Sequence, residues 1–203
     1  MPLNAKRSLM ASDPPRIHKT QRLFLALWPD AGVRQQLLDH TRLWTWPTAC
    51  VQYRPEDWHI TLHFIGQVST EQVADITAAA VVPFQPLELV LDQPRLWAHG
   101  LAVLCAGEVP APLQVLYDRL GGALQANGLQ VDTRPYQPHV TLARRADAAM
   151  APTTSTPVVW WIDRYALVVS TGGNDPRYRV IHKFERNGVK DTRGHLLRYP
   201  PFG

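Results

Sequence analysis

His59-Ile60-Thr61-Leu62 is followed 80 residues later by His139-Val140-Thr141-Leu142, the same order of histidine, β-branched apolar residue, threonine and leucine. Each tetrapeptide lies in a strand-like run, HITLHFIG from 59 to 66 and PHVTLARR from 138 to 145. Residues two apart on a strand share a face. Each histidine therefore projects beside its own threonine, while Ile60 with Leu62 and Val140 with Leu142 turn toward apolar packing. A single His-x-Thr on a strand is ordinarily a packed or surface histidine. Two copies at half-domain spacing read as the two halves of one site.

Outward from the first copy, Leu23 to Trp28 (LFLALW) is a short apolar run that fits a buried central strand. Pro29 and Asp30 open a helix to about Trp44, with Val33, Leu37, Leu38 and Leu43 at helical spacing. Between the copies, Ser69 and Gln72 form a capping-box pattern for a helix to about Val81. The stretch from Leu87 to Ala106 alternates in pieces, with breaks at Pro94 and at His99-Gly100, which predicts strands joined by a hairpin. Pro110 to Asn127 reads as a helix with Leu113, Leu116, Leu120 and Leu124 on one face and Gly128 at its C-cap. Beyond the second copy come a loop from Ala146 to Pro157 and a strand from Val158 to Ser170, bent at Asp163-Arg164. A turn at Gly172-Gly173 and a strand from Tyr178 to Glu185 follow.

Strands and helices alternate without a βαβ period, which favours an α+β protein. The order strand, helix, His-bearing strand occurs early and again late, as in a diverged duplication whose two lobes pair about a pseudo-twofold axis. Residues 1–20 read as a flexible N-terminal tail, 21–187 as a single bilobal domain and 188–203 as a C-terminal extension.

The 203 residues are 45% hydrophobic and 19% charged, which excludes disorder for the bulk of the chain. No run approaches the roughly 18 apolar residues of a membrane helix. The first fifteen residues lack the apolar core of a secretory signal, so a cytoplasmic protein is expected. The net charge is +4, and the basic residues are almost all arginine, whose planar fork suits phosphate. Cys50 and Cys105 show no CxxC spacing and read as buried free thiols.

A neutral imidazole accepts a proton and an imidazolium donates one, both near pH 7. Two of them on one ligand supply a general base and a general acid, each typically worth ~10²–10⁴-fold in rate. A threonine hydroxyl beside each donates a hydrogen bond to an oxyanion. That set suits in-line displacement at phosphorus and needs neither metal nor cofactor.

The duplicated His-x-Thr-Leu, the His63-Phe64-Ile65-Gly66 continuation and the segment from Pro138 to Arg144 resemble the 2H phosphoesterase superfamily. They look most like its bacterial RNA 2′,3′-cyclic phosphodiesterase branch, the LigT-like or 2′-5′ RNA ligase proteins. The likeness runs from about Arg22 to Arg186. It implies a bilobal fold of two pseudo-twofold-related antiparallel-sheet lobes, with outer helices, around a central cleft. It also implies a monomer that opens the 2′,3′-cyclic phosphate at an RNA end to a 2′-phosphomonoester. His59 would then give a proton to the leaving 3′ oxygen and His139 would activate water, or the reverse, with Thr61 and Thr141 on the phosphate oxygens. Arg144 matches the family's Ala-Arg ending as a phosphate contact. Strict alternation, however, sets Arg144 opposite His139 and Arg145 beside it. Either the strand ends or bulges after Thr141, or Arg145 is the contact.

Other residues carry competing readings. His59 and His63 share a strand face by alternation, yet without an HExxH pattern or a nearby cysteine, zinc is disfavoured. His63 is read instead as orienting Thr61 or the substrate, or as packed. Tyr53 and Tyr136, in the segments leading to the two motifs, are the base-stacking candidates, and Arg54 is read as a loop arginine. Trp28, Trp160 and Trp161 read as core, and Trp58 points away from the site. The alternative activities are reversible 2′-5′ RNA ligation and cleavage of a small cyclic nucleotide, ADP-ribose cyclic phosphate or 2′-5′ oligoadenylate. The non-enzymatic alternative is an RNA-binding module.

Overall fold

The computed structural model describes residues 19–173 and 175–185, so the tail before Lys19 and the extension from 188 lie outside the described residues. The first strand, β1 (Thr20–Leu27), already begins within the expected tail, and its last five residues are buried. Asp30 accepts a hydrogen bond from the Val33 N–H at 2.9 Å and so starts α1 (Ala31–Thr41). This helix stops short of Trp44. The Thr41 hydroxyl donates back to the Leu38 carbonyl, and the Trp46 indole N–H donates to the Thr41 carbonyl, satisfying it outside the helix. After the short β2 (Val51–Gln52) and β3 (Ile60–Ser69), the Ser69 N–H donates to the Gln72 side chain as its capping pattern predicts. The helix it leads into, α2 (Val73–Ala79), begins after one 3₁₀ turn.

Next come β4 (Leu87–Trp97), β5 (Leu101–Ala106), α3 (Ala111–Ala126) and β6 (His139–Arg144), then β7 (Val158–Ile162), β8 (Arg164–Ser170) and β9 (Tyr178–Glu185). Pro94 does not break β4, where it pairs with Leu104. Strand β7 ends opposite Leu91, so the far side of β4 has no strand to receive a bond from position 94. The real break is the turn at His99-Gly100. There Gly100 has φ +67°, and a Cβ at that position would come within 2.5 Å of the Asp147 carboxylate.

Residues 158–170 are not one bent strand. β7 pairs with β4, whereas β8 pairs with β1 and β9, and only Asp163 separates them. Since β7 and β8 stand near opposite ends of the strand order, the sheet curls until those ends come close. The order is β7-β4-β5-β6-β3-β1-β8-β9, antiparallel throughout, with β2 added to β6. This is the α+β architecture of two four-stranded lobes, β9-β8-β1-β3 and β6-β5-β4-β7, joined at the single pair Ile60↔Val140. Both residues of that pair are fully buried, and each sits between the histidine and threonine of its motif. The pseudo-twofold axis therefore runs through the middle of the duplicated tetrapeptides. The outer helices are exchanged: α1 follows β1 but lies against β7, and α3 follows β5 but lies against β3.

One sheet face carries the main core, in which Leu23, Leu25, Leu27, Ile60, Leu62, Val140 and Leu142 meet the four leucines of α3. The other face carries a small cluster of Phe24, Ala26, Ala166 and Val168, against which Trp28, Tyr178 and Val180 pack. Trp28 thus belongs to the cleft side rather than to the main core. Trp161 is 56% exposed, contrary to its reading as core, whereas Trp160 and Trp58 are buried in the main core. Cys105 is buried, and its thiol is pushed up to about 11 by desolvation; Cys50 is only half-buried. At the sheet's β7 edge, the Gln36 side chain accepts from the Val159 N–H at 2.9 Å and donates to the Val159 carbonyl at 3.2 Å. Among the described residues, no helix is long and apolar enough to cross a membrane.

The two motifs share a local irregularity. On β3, Ala26 pairs with Thr61 and Leu25 with His63, leaving Leu62 as the extra residue of a bulge. On β6, Val103 pairs with Thr141 and Ala102 with Ala143, leaving Leu142 in the same role. One extra residue reverses the alternation beyond it. His63 therefore faces the core beside Leu25, away from Thr61, and Arg144 returns to the face of His139.

Candidate active site

Both catalytic candidates stand where their strands begin, beside the pair that joins the lobes. The ring of His59 is held by the Asp57 carbonyl and that of His139 by the Gln137 carbonyl, each at 2.7 Å from Nδ1 and each two residues back. A carbonyl only accepts, so in both rings Nδ1 carries the proton and Nε2 is left as the free nitrogen. The repeat extends to these supports: Arg54-Pro55 and Arg134-Pro135 each stand five and four residues ahead of their histidine. Together with Thr61 and Thr141, the two histidines line one hollow of about 210 Å³, closed by Tyr53, Asp57 and Tyr178.

Aromatic rings fix the imidazoles from behind. Trp28 stacks on His59 with centroids 5.4 Å apart and planes 7° from parallel, while Phe24 and Tyr178 approach it at 4.9 and 5.0 Å. Trp97 lies 4.3 Å from His139. Sequence reading missed Phe24, Trp28 and Trp97 as parts of the site. Alternation along LFLALW puts Phe24, Ala26 and Trp28 on one face, but an all-apolar run conceals which face is the core.

Burial lowers both histidines. His59 falls from 6.5 to about 4, with the Asp57 carbonyl opposing the shift and His139 adding to it. His139 is also lowered by burial, against the hydrogen bond to Gln137. At neutral pH the hollow thus presents two neutral imidazoles. An anion entering it favours protonation of one of them, which makes an acid and a base out of two like groups.

The other sequence-predicted residues divide. Tyr53 lines the hollow and also a second one of about 370 Å³ beside it, where Arg144 and Arg54 stand. The bulge at Leu142 sets the two neighbouring arginines apart. Arg144 closes the strand on the histidine face, while Arg145 takes φ +54° and turns the chain away. Tyr136 is not brought to the hollow. It stacks on Tyr117 of α3 at 4.1 Å, and Tyr117 stacks on His63 at the same distance. His63 bonds the Tyr117 carbonyl at 2.8 Å, so it is the packed histidine of the earlier alternatives and shares no site with His59.

The sequence pattern of the 2′-5′ RNA ligase superfamily matches residues 30–174, which include both motifs. The chain belongs to that superfamily. One relative, an RNA 2′,3′-cyclic phosphodiesterase of Escherichia coli, is 32% identical over 143 residues, spanning 70% of this chain and 80% of its own length. An RNA 2′,3′-cyclic phosphodiesterase of Bacillus subtilis is 29% identical over 144 residues, 64% of this chain and 78% of its own. The crystal structure of E. coli LigT complexed with 3′-AMP matches with a TM-score of 0.75 at 25% identity, covering 83% of this chain and 99% of that one. Membership of the 2H superfamily thus agrees with the bilobal sheet and the central hollow.

Proposed function

We propose that this protein hydrolyses RNA 2′,3′-cyclic phosphate ends to 2′-phosphomonoesters by two-histidine acid–base catalysis. The observation that carries the reading is the pair of imidazoles, held in the same tautomer by equivalent carbonyls, with both rings lining one hollow. The names of the E. coli and B. subtilis relatives supply the substrate class. In the reaction, water attacks phosphorus as the bond to the 3′ oxygen breaks. His139 takes the proton of the attacking water, and His59, protonated in the complex, gives its own to the 3′ oxygen. Thr61 and Thr141 donate hydrogen bonds to the phosphate oxygens, where charge builds in the transition state. No step in this scheme calls on a metal. An RNA substrate supports a cytoplasmic site of action.

The test is turnover of a short RNA ending in 2′,3′-cyclic phosphate, in EDTA, with H59A and H139A beside the parent. The expected result is a 2′-phosphate product from the parent and none from either variant. A requirement for added metal, or full activity in either variant, refutes the mechanism.

A further inference from the structure

The two halves of the site agree in their main chain and differ two residues ahead of each histidine. Asp57 and Gln137 occupy equivalent positions, and each gives its carbonyl to the Nδ1 of its histidine at 2.7 Å. Their side chains differ in charge and in place. Asp57 lines the hollow with both histidines, and its carboxylate is only 13% exposed, whereas Gln137 is exposed and takes no part in the lining. Among the described residues that line the hollow, Asp57 is the only carboxylate. We propose that Asp57 is a positioning residue, whose carboxylate directs the proton shared by the two imidazoles to His59 when an anion is bound. The proposal rests on the hydrolytic reading above and names what breaks its symmetry.

Two like imidazoles on one phosphate leave the choice of acid open, and the packing of the rings works against His59. Phe24, Trp28 and Tyr178 surround it, whereas the ring against His139 is Trp97. A more enclosed imidazole is harder to charge. In the free protein a proton therefore settles first on His139, whose charge then lowers His59 further. A carboxylate on the His59 side reverses that order, because a nearby opposite charge favours the charged form by ~1–3 pH units. Once His59 is charged, the faces of the surrounding rings attract the cation.

The groups around Asp57 set when its charge acts. Burial pushes its carboxyl above the usual range, aided by Glu56 and Asp175, while Arg177 at 3.8 Å and Arg54 favour the ionised form. His139, Tyr53 and Tyr178 complete the titratable lining. Near pH 4, where His59 titrates in the free protein, a carboxylate so raised is already largely protonated and lends the ring no charge. An anion in the hollow lifts His59 toward neutral pH, where the carboxylate is ionised and its field reaches the ring.

The experiment follows the ring nitrogens of His59 and His139 by NMR from pH 4 to 9, in excess sulfate, which stays a dianion throughout. The parent is compared with D57N, which keeps the main-chain carbonyl and the side-chain shape but removes the charge. In the parent, sulfate is expected to raise the midpoint of His59 above that of His139. In D57N the His59 midpoint should fall by about one pH unit, the low end of the effect because Arg177 offsets part of it. The alkaline limb of kcat for a cyclic-phosphate RNA should move down by the same amount, and D57E, which keeps the charge, should retain both parent values. A residue that only braced its loop would lower kcat equally at every pH and leave the limb in place. Sulfate that moves neither midpoint, a parent in which bound sulfate leaves the proton on His139, or a D57N whose midpoint and limb do not move overturns the proposal. Midpoints that behave as expected without turnover of the RNA would sink the hydrolytic reading and leave the role of Asp57 standing.

Discussion

Acidification should weaken the fold through His59. Its folded value of about 4 lies below the 6.5 of an unfolded histidine, because the ring is packed among Phe24, Trp28 and Tyr178. A base with a depressed folded value takes up its proton first in the unfolded chain. Its contribution is therefore intact above pH 6.5 and is lost as the pH falls toward 4. The gap of about 2.5 pH units corresponds to about 2 kcal/mol lost between pH 7 and pH 5, and about 3 kcal/mol by pH 4. The assay is urea unfolding of the parent and of His59→Gln at pH 7 and pH 5, with glutamine neutral at both. His40, His63 and His139 are lowered by burial in both proteins and cancel in the comparison. The parent's loss between the two pH values should exceed the variant's by about 2 kcal/mol. Losses that agree within about 0.5 kcal/mol would refute the claim that the aromatic enclosure keeps His59 neutral.

Three further outcomes follow from the same geometry. The pH profile of kcat/KM should be bell-shaped with its maximum below 6.5, since both histidines are lowered in the free protein; a maximum above pH 7 contradicts this. Thr61→Val and Thr141→Val should each reduce kcat by about 10²–10³-fold, measured with saturating cyclic-phosphate RNA, with circular dichroism unchanged. Gly100→Ala should cost at least ~1–2 kcal/mol in thermal unfolding, from the left-handed backbone alone, before the approach to Asp147 is added.

The meeting of the two His-x-Thr motifs at one hollow was legible because its reading needs only local rules. Histidine and threonine two apart share a face on any strand, and a repeated tetrapeptide signals the pairing of halves. What failed were inferences that run past the bulges. Counting on from Thr141 puts Arg144 on the wrong face, and counting on from Thr61 groups His63 with His59. The extra residue at Leu62 or Leu142 shows only in the pairing with Ala26–Leu25 or Val103–Ala102. The division at Asp163 was hidden for a related reason. Apolar, strand-forming residues flank it on both sides, and only partner choice separates β7 from β8. Tyr136 illustrates the limit of proximity: three residues from His139 along the chain, it is claimed by Tyr117 on the opposite side of the sheet. Pro94 was read by its ordinary effect within a sheet, which does not operate where the neighbouring strand has already ended.

The bond pair from Gln36 to Val159 also bears on how copies of this protein meet in concentrated solution. A sheet margin offers peptide groups that a foreign strand can adopt, and stacking of that kind propagates into fibres. The carboxamide of Gln36 is chemically a peptide group at the end of a side chain, and it occupies the N–H and C=O of Val159 as a neighbouring strand would. An incoming strand would first have to displace it, at a point where the exposed Val159 and Trp161 side chains make the margin most attractive. The first helix therefore acts as a terminator, ending sheet growth inside the molecule.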